Sequence, residues 1–167
     1  MQKKIIVHTG ARAEAPLPIE SVALDQPDIA YYQRGRCATP EQVLEAVRDA
    51  DVALCGGEPY TREVCANAPR LKAVIRYGIG VDTLDLEAAT DCGVMAVNFP
   101  DFCVREVANH ALMLLLACAK KVTRLDSRLR ASGWASAREA LSPMGTIHGE
   151  TLGLIAFGNI ARPLRAA

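Results

Sequence analysis

The segment 73–82 constrains the fold of this chain more than any other part of the sequence. It begins with a short apolar run, 73–75, whose β-branched centre predicts a buried strand. Gly78 and Gly80 follow at once, and glycine lacks a side chain and permits positive φ. Two such residues at the carboxyl end of a strand predict backbone N–H groups that converge on a small anion. An ordinary tight turn after a strand is the alternative interpretation.

Short strands and short helices alternate through residues 4–97. Further strands are predicted at 4–8, 29–32, 51–55 and 94–97, and helices at 19–24, 39–49, 61–66 and 84–91, with a proline-containing connection at 15–18. This alternation predicts an α/β protein with a mostly parallel sheet covered on both faces.

The alternation of strands and helices ends near residue 103, where the spacing of apolar residues predicts a long helix that runs to about residue 131. The middle of this helix, 111–119, is apolar on every side, which predicts that it lies between two layers. A loop-rich stretch follows over 132–150. A strand at 151–156 then meets the turn at 157–161, in the strand–turn–helix order of a Rossmann phosphate loop, although the pattern is A-x-G-x-x-A.

Composition excludes several partners and compartments. The 167 residues carry 19 basic and 19 acidic side chains, and this balance gives no support for a nucleic-acid or anionic-membrane partner. The longest apolar run, 111–119, is too short to span a bilayer. The six cysteines form no C-x-x-C pair and no secretory leader precedes them, so we expect reduced thiols, a cytoplasmic protein and no metal site.

Taken together, ordered motifs from residue 71 to residue 158 resemble the D-isomer-specific 2-hydroxyacid dehydrogenases, a family that includes phosphoglycerate dehydrogenases and C-terminal-binding-protein-like dehydrogenases. The run PDFC, at 100–103, is most similar to the latter subgroup. The motifs are LKAVIRYGIGVD at 71–82, DLEAAT at 85–90 with the following Gly-Val, VNFPD at 97–101, EVANHA at 106–111 and GETLG at 149–153.

This resemblance implies a particular architecture. A flavodoxin-like parallel-sheet substrate domain would cover residues 1–98. Residues 99–167 would hold the interdomain helix and the first strand and helix of a truncated Rossmann NAD-binding domain. The complete relatives imply a homodimer that oxidises the CH–OH group of a 2-hydroxy acid, or reduces the 2-oxo acid, with NAD; NADP is not excluded.

The same resemblance implies which residues line the cleft. Loop N–H groups would meet the substrate carboxylate, and the residues after the last strand would cradle the cofactor pyrophosphate. The implied substrate-binding residues are Arg76, Tyr77, Gly78, Ile79 and Gly80, and the implied cofactor-binding residues are Ile79, Val107, Phe157, Gly158, Asn159 and Ile160.

No catalytic residue is expected within the chain. The family's carboxylate-binding Arg, its Glu and its acid–base His all follow the phosphate loop by a distance that this sequence does not reach. None of the three histidines, His8, His110 and His148, is expected to replace that acid–base His, and no pair of them is expected to form a metal or acid–base site. The resemblance therefore implies a truncated and inactive chain. A non-catalytic dinucleotide-sensing or corepressor-like binding module is the alternative, and a free-standing flavodoxin-like domain with another ligand is a third possibility.

Two residues near the end depart from the phosphate-loop pattern. Ala156 occupies the position of the first glycine, where a positive φ would cost on the order of 1 kcal/mol. Pro163 falls inside the helix that should follow, and the residue before a proline avoids the α region. We therefore expect an early kink in that helix.

Overall fold

The computed structural model describes residues 3–10 and 18–166. The chain divides into two compact units, which we name unit 1 (up to Phe102) and unit 2 (from Cys103). The predicted division into domains at 98 and 99 stays a prediction. Of the proline-containing connection at 15–18, residues 15–17 lie outside the described part of the chain.

Unit 1 is built on one sheet of five parallel strands in the order β2-β1-β3-β4-β5. This is the order of flavodoxin-like sheets, and it confirms the predicted α/β class. Because the strands are parallel, all their carboxyl ends meet at one edge, which we call the carboxyl edge. The strands are β1 (Lys4–His8), β2 (Ile29–Gln33), β3 (Val52–Cys55), β4 (Ala73–Arg76) and β5 (Met95–Val97).

Side-chain caps start most of the helices that connect these strands. Thr39 accepts the N–H of Gln42, whose own side chain accepts the N–H of Thr39, so the predicted capping box is confirmed. The side chains of Thr61 and Asp85 cap the next two helices, each by accepting one backbone N–H. The helices are α1 (Pro18–Leu24), α2 (Pro40–Val47), α3 (Arg62–Asn67) and α4 (Leu86–Asp91).

The core of unit 1 lies between the sheet and these helices. Strands and helices contribute mainly small and β-branched residues, which suit a sheet covered on both faces. Tyr60 is the largest fully buried side chain of the core. Its other fully buried members include Val7, Val43, Val47, Ala53, Cys55, Val64 and Val74.

Asp51 ties three parts of unit 1 together at the edge opposite the carboxyl edge. Its Oδ2 accepts the N–H of Ile5 at 2.8 Å and Nη2 of Arg70 at 3.0 Å. The hydrogen bond from Ile5, and then the bond and charge of Arg70, lower the pKa of Asp51. A carboxyl whose pKa is lowered by folding stabilises the folded state above its unfolded pKa. That contribution is lost as the pH falls through the folded value.

We therefore expect Asp51→Asn to lower the free energy of unfolding by about 1–2 kcal/mol near neutral pH, since a charge-assisted bond becomes a neutral one. The difference from the wild-type chain should shrink as the pH falls to about 3, because acid protonates the wild-type carboxyl. Urea unfolding at several pH values measures this. Asp49→Asn, at a neighbouring exposed position, is the matched control, and a pH-independent difference would contradict the assignment.

Unit 2 is helical, and it departs from the prediction of one long helix to residue 131. Lys121 has φ of 50°, which ends the first helix and begins the second. The second helix is kinked at Gly133 and continues to Glu139. The prediction of a loop from residue 132 is therefore wrong for residues 132–139. The helices are α5 (Val104–Ala119), α6 (Val122–Glu139) and α7 (Ala161–Ala166).

Two further expectations for unit 2 are wrong. Segment 151–156 is not a strand, because no strand in the described part of unit 2 offers it a partner for its backbone hydrogen bonds. The apolar middle of α5 is not enclosed on all sides either, since Met113 and Leu114 are each 49% exposed. Within unit 2, α6 and α7 both pack against α5.

Candidate functional site

The first residue of the loop after β4 is held at the carboxyl edge by a backbone hydrogen bond. The N–H of Tyr77 donates to the carbonyl of Cys55 at 2.8 Å, which fixes the loop against the end of β3. The N–H of Gly78 donates to the carbonyl of Arg76 at 2.9 Å and is therefore already used. The N–H groups of Ile79 and Gly80 donate to no residue that the structure describes. Two of the predicted donors are thus free to bind a ligand.

Gly78 and Gly80 are needed for space and not for an unusual backbone. Neither residue has a positive φ, so the loop does not use the conformational freedom that glycine permits. A Cβ at position 78 would collide with the guanidinium of Arg76, and a Cβ at position 80 would lie 2.9 Å from Oδ2 of Asp82. The two glycines therefore let a cation and an anion pack directly against the loop.

Arg76 brings an unpaired positive charge to this loop. Its Nε is buried and has no hydrogen-bond partner among residues 3–10 and 18–166. None of the ion pairs in the described part of the chain involves it. A buried guanidinium nitrogen without a partner is costly unless an anion completes it. Arg76 and the free N–H groups of Ile79 and Gly80 are therefore suited to a carboxylate.

The carbonyl side of the loop is fixed by the segment after β5. Nδ2 of Asn98 donates to the carbonyl of Ile79 at 2.7 Å, and the N–H of Phe99 donates to the carbonyl of Gly78 at 3.0 Å. These bonds engage the carbonyl oxygens of Gly78 and Ile79, while the N–H groups of Ile79 and Gly80 stay available to a ligand.

An aromatic and polar cluster, which sequence reasoning did not find, adjoins the loop. The ring of Tyr77 meets the rings of His8 and Phe99 edge-on, with centroids 5.4 and 6.2 Å apart. Nδ1 of His8 lies 3.1 Å from the hydroxyl of Tyr31. Burial lowers the pKa of His8, and burial followed by the hydrogen bond with Glu20 raises that of Tyr77. At neutral pH both rings are therefore uncharged.

Glu58 is a second residue at the carboxyl edge that the sequence reasoning missed. It is buried, and its Oε2 accepts the N–H groups of Gly56 at 2.7 Å and Gly57 at 3.2 Å. Burial, together with the charge of Glu58, raises the pKa of Cys55 to about 12, so this thiol is not a nucleophile at neutral pH. The Gly-Gly pair directly before Glu58 is the only sequence signal for this arrangement.

The predicted cofactor residues other than Ile79 belong to unit 2. Val107 lies in the first turn of α5, and residues 157–160 lead directly into α7. Ala156 has φ of 69°, which confirms the positive φ expected at the first glycine position. Pro163 stands in the first turn of α7, where no helical partner is lost. The predicted kink is therefore not needed.

The remaining histidines and the acidic residues do not assemble a second site. His110 and His148 are exposed. No group of three or more His, Cys, Asp or Glu side chains within residues 3–10 and 18–166 is placed to hold a metal ion. None of the helices in the same residues has the length and apolar character that crossing a membrane requires.

The parallel sheet order, with a glycine-containing loop at the carboxyl edge, defines an α/β domain of the flavodoxin-like type. Comparison with known sequences makes this specific. The profile for the catalytic domain of the D-isomer specific 2-hydroxyacid dehydrogenases matches residues 12–159, and the chain belongs to that family.

Two curated relatives illustrate the match. Glyoxylate reductase from Pyrococcus furiosus is 34% identical over 82% of this chain and 42% of its own length. D-3-phosphoglycerate dehydrogenase from Methanocaldococcus jannaschii is 36% identical over 74% of this chain and 23% of its own length. The chain therefore spans less than half the length of these relatives.

Solved structures show the same fold. An acyclic imino acid reductase in complex with NADPH and D-Arg superimposes with a TM-score of 0.81 at 22% identity, covering 97% of this chain and 52% of that one. D-lactate dehydrogenase from Aquifex aeolicus, complexed with NAD and lactic acid, gives 0.76 at 19% identity, covering 98% and 47%.

Proposed function

We propose that this chain supplies the substrate-binding part, and the beginning of the cofactor-binding part, of a nicotinamide-dependent 2-hydroxyacid dehydrogenase. The loop after β4 binds the carboxylate of a 2-hydroxy or 2-oxo acid. The observation that carries this proposal is the pair of free N–H groups at Ile79 and Gly80 beside the unpaired guanidinium of Arg76.

In this proposal the residues of unit 1 bind and orient the substrate. Ile79 and Gly80 donate to the carboxylate oxygens, and Arg76 neutralises their charge with hydrogen bonds of fixed direction. Fixing the carboxylate places the neighbouring C2 carbon, which is where the reaction of this family takes place. Tyr77 covers one side of the loop and limits the access of water.

The cofactor would be held by residues of unit 2. Residues 157–160 offer backbone N–H groups at the start of α7, and the left-handed Ala156 turns the chain into this segment, which fits a pyrophosphate. Val107 would adjoin the nicotinamide. When bound, the nicotinamide exchanges a hydride with C2 of the acid. NAD is proposed, with NADP as the alternative, because solved neighbours are titled as complexes with either.

A homodimer and a cytoplasmic location are proposed with this function. The support for the compartment is that all six cysteines are free and three of them are buried. The support for a dimer is the family resemblance alone.

Titration of the isotope-labelled chain with oxamate, a stable analogue of a 2-oxo acid, tests the carboxylate site. We expect the amide signals of Ile79 and Gly80 to shift, with Arg76→Met weakening binding by about tenfold or more. Gly78→Ala should also weaken binding, since its Cβ displaces the guanidinium without removing the charge.

Arg48→Met is the matched control, because it removes one exposed positive charge at the end of α2, near the opposite edge of the sheet. It should leave binding unchanged apart from a small, salt-dependent effect. Oxamate that leaves the Ile79 and Gly80 amides unshifted would overturn the proposed function.

A binding module without catalysis is the second candidate, and one observation favours it. Of the three histidines, His8 is buried against Tyr31, while His110 and His148 are exposed without a carboxylate partner among the described residues. Such a module would bind the acid and the dinucleotide without turning them over.

A further inference from the structure

We infer that Tyr77 and Phe99 form an aromatic wall beside the carboxylate site that selects acids with an uncharged, apolar side chain over acids with a second anionic group. This inference rests on the proposed function, because it names the class of substrate that the same loop accepts.

The wall is continuous with the loop. Tyr77 directly follows Arg76, and the N–H of Phe99 donates to the carbonyl of Gly78 at 3.0 Å. The two rings stand edge to face, 6.2 Å apart with 74° between their planes, and each remains partly open, at 40% and 48% exposure. An acid held through its carboxylate at Ile79 and Gly80 therefore has apolar surface within reach of its side chain.

The wall is also rigid. The ring of Tyr77 contacts the ring of His8 on one side, and the backbone of Tyr77 is held by the hydrogen bond from its N–H to the carbonyl of Cys55. A ring that is already fixed loses little conformational freedom when a ligand binds. Most of the free energy gained by burying apolar surface against it therefore contributes to affinity.

Charge around the loop disfavours a second anionic group. Arg76 is engaged by the first carboxylate, while Asp82 lies beside Gly80 and Glu20 lies beside Tyr77. The guanidinium groups that stack on rings in the described residues, Arg34 on Tyr32 and Arg165 on Phe157, leave Tyr77 and Phe99 without a cation. A phosphate or second carboxylate would meet repulsion from these carboxylates.

Titration of the labelled 167-residue chain with two acids of similar length tests this inference. The probes are 4-methyl-2-oxopentanoate, with an apolar side chain, and 2-oxoglutarate, with a second carboxylate. We expect the first to bind about tenfold more tightly, as judged by the amide shifts of Ile79 and Gly80. Tyr77→Ala and Phe99→Ala should each remove most of this preference, and Tyr77→Phe should keep it.

Tyr32→Ala is the matched control, since Tyr32 is equally exposed, at 46%, but lies in β2 against Arg34. It should leave the preference unchanged. Equal binding of both probes, or tighter binding of 2-oxoglutarate, by the wild-type chain would overturn the inference while leaving the proposed function in place. If neither probe nor oxamate shifts the two amides, both are overturned. Because the wild-type comparison needs no variant, misfolding of one variant does not affect this test.

Discussion

Replacing Tyr60 with alanine should lower the free energy of unfolding of unit 1 by about 3–5 kcal/mol. The side chain is 1% exposed and is the largest among the fully buried ones, so its removal leaves a cavity that the neighbouring strands cannot close. A loss of this size is a large fraction of the total stability of a small domain. We therefore expect Tyr60→Ala to be largely unfolded at physiological temperature.

The hydroxyl of Tyr60 accounts for a smaller, separable part of this effect. It lies 3.0 Å from Oγ1 of Thr9, which is fully buried and also donates to the carbonyl of Leu54. Tyr60→Phe should cost about 1–2 kcal/mol, because it leaves one buried polar partner unsatisfied. The double variant Tyr60→Phe with Thr9→Val should cost less than the sum of the single changes.

Tyr60 also connects stability to the candidate site. Its N–H donates to the carbonyl of Thr83 at 2.8 Å, and its carbonyl accepts the N–H of Asp85 at 2.9 Å. These bonds hold the segment that follows the anion-binding loop. Variants of Tyr60 that remain folded should therefore bind oxamate more weakly than the wild-type chain.

Urea unfolding followed by circular dichroism measures the stability change. Tyr32→Ala is the control for loss of a tyrosine from the surface, and it should cost less than about 1 kcal/mol. If Tyr60→Ala unfolds at the same urea concentration as Tyr32→Ala, the buried ring does not support unit 1 in the way proposed.

Much of unit 1 was predictable from sequence because its signals are local. The capping box at Thr39 and Gln42 and the apolar run of β4 each depend on residues a few positions apart. Strand alternation with short helices then restricts the topology to a parallel sheet with few arrangements. Local signals of this kind gave element bounds that agree with the structure to within about two residues.

The site was harder to predict because its contacts join distant parts of the chain. Nothing near Tyr77 in sequence indicates that His8 and Phe99 will meet its ring from two sides. The sequence also did not indicate why position 78 must be glycine. The reason is that the side chain of Arg76 folds over this position and leaves no room for a Cβ. In unit 2 the strand predicted at 151–156 failed for a related reason, since a strand requires a partner that apolar pattern alone does not supply.

We expect the 167-residue chain by itself to show no catalytic turnover. This is the largest of the expected differences, since it is the difference between an active and an inactive chain. Hydride transfer at C2 requires a proton to move at the attached oxygen, and this needs an acid–base group within hydrogen-bond reach of the substrate. His8 is the histidine of unit 1, but it is buried, its Nδ1 is engaged with the hydroxyl of Tyr31, and burial lowers its pKa. Enzymes typically accelerate their reactions by about a millionfold or more, so the difference is easily measured.

The assay follows NADH absorbance with glyoxylate and with 4-methyl-2-oxopentanoate, and full-length glyoxylate reductase from Pyrococcus furiosus serves as the positive control for glyoxylate. NADH consumption that co-elutes with the chain and falls in Arg76→Met would contradict this expectation. In that case His8→Gln would test whether His8 moves the proton, because His8 is the only imidazole in the described residues that contacts the ring of Tyr77. If consumption is absent while oxamate still shifts Ile79 and Gly80, binding and catalysis are separate in this family, and unit 1 retains the first without the second.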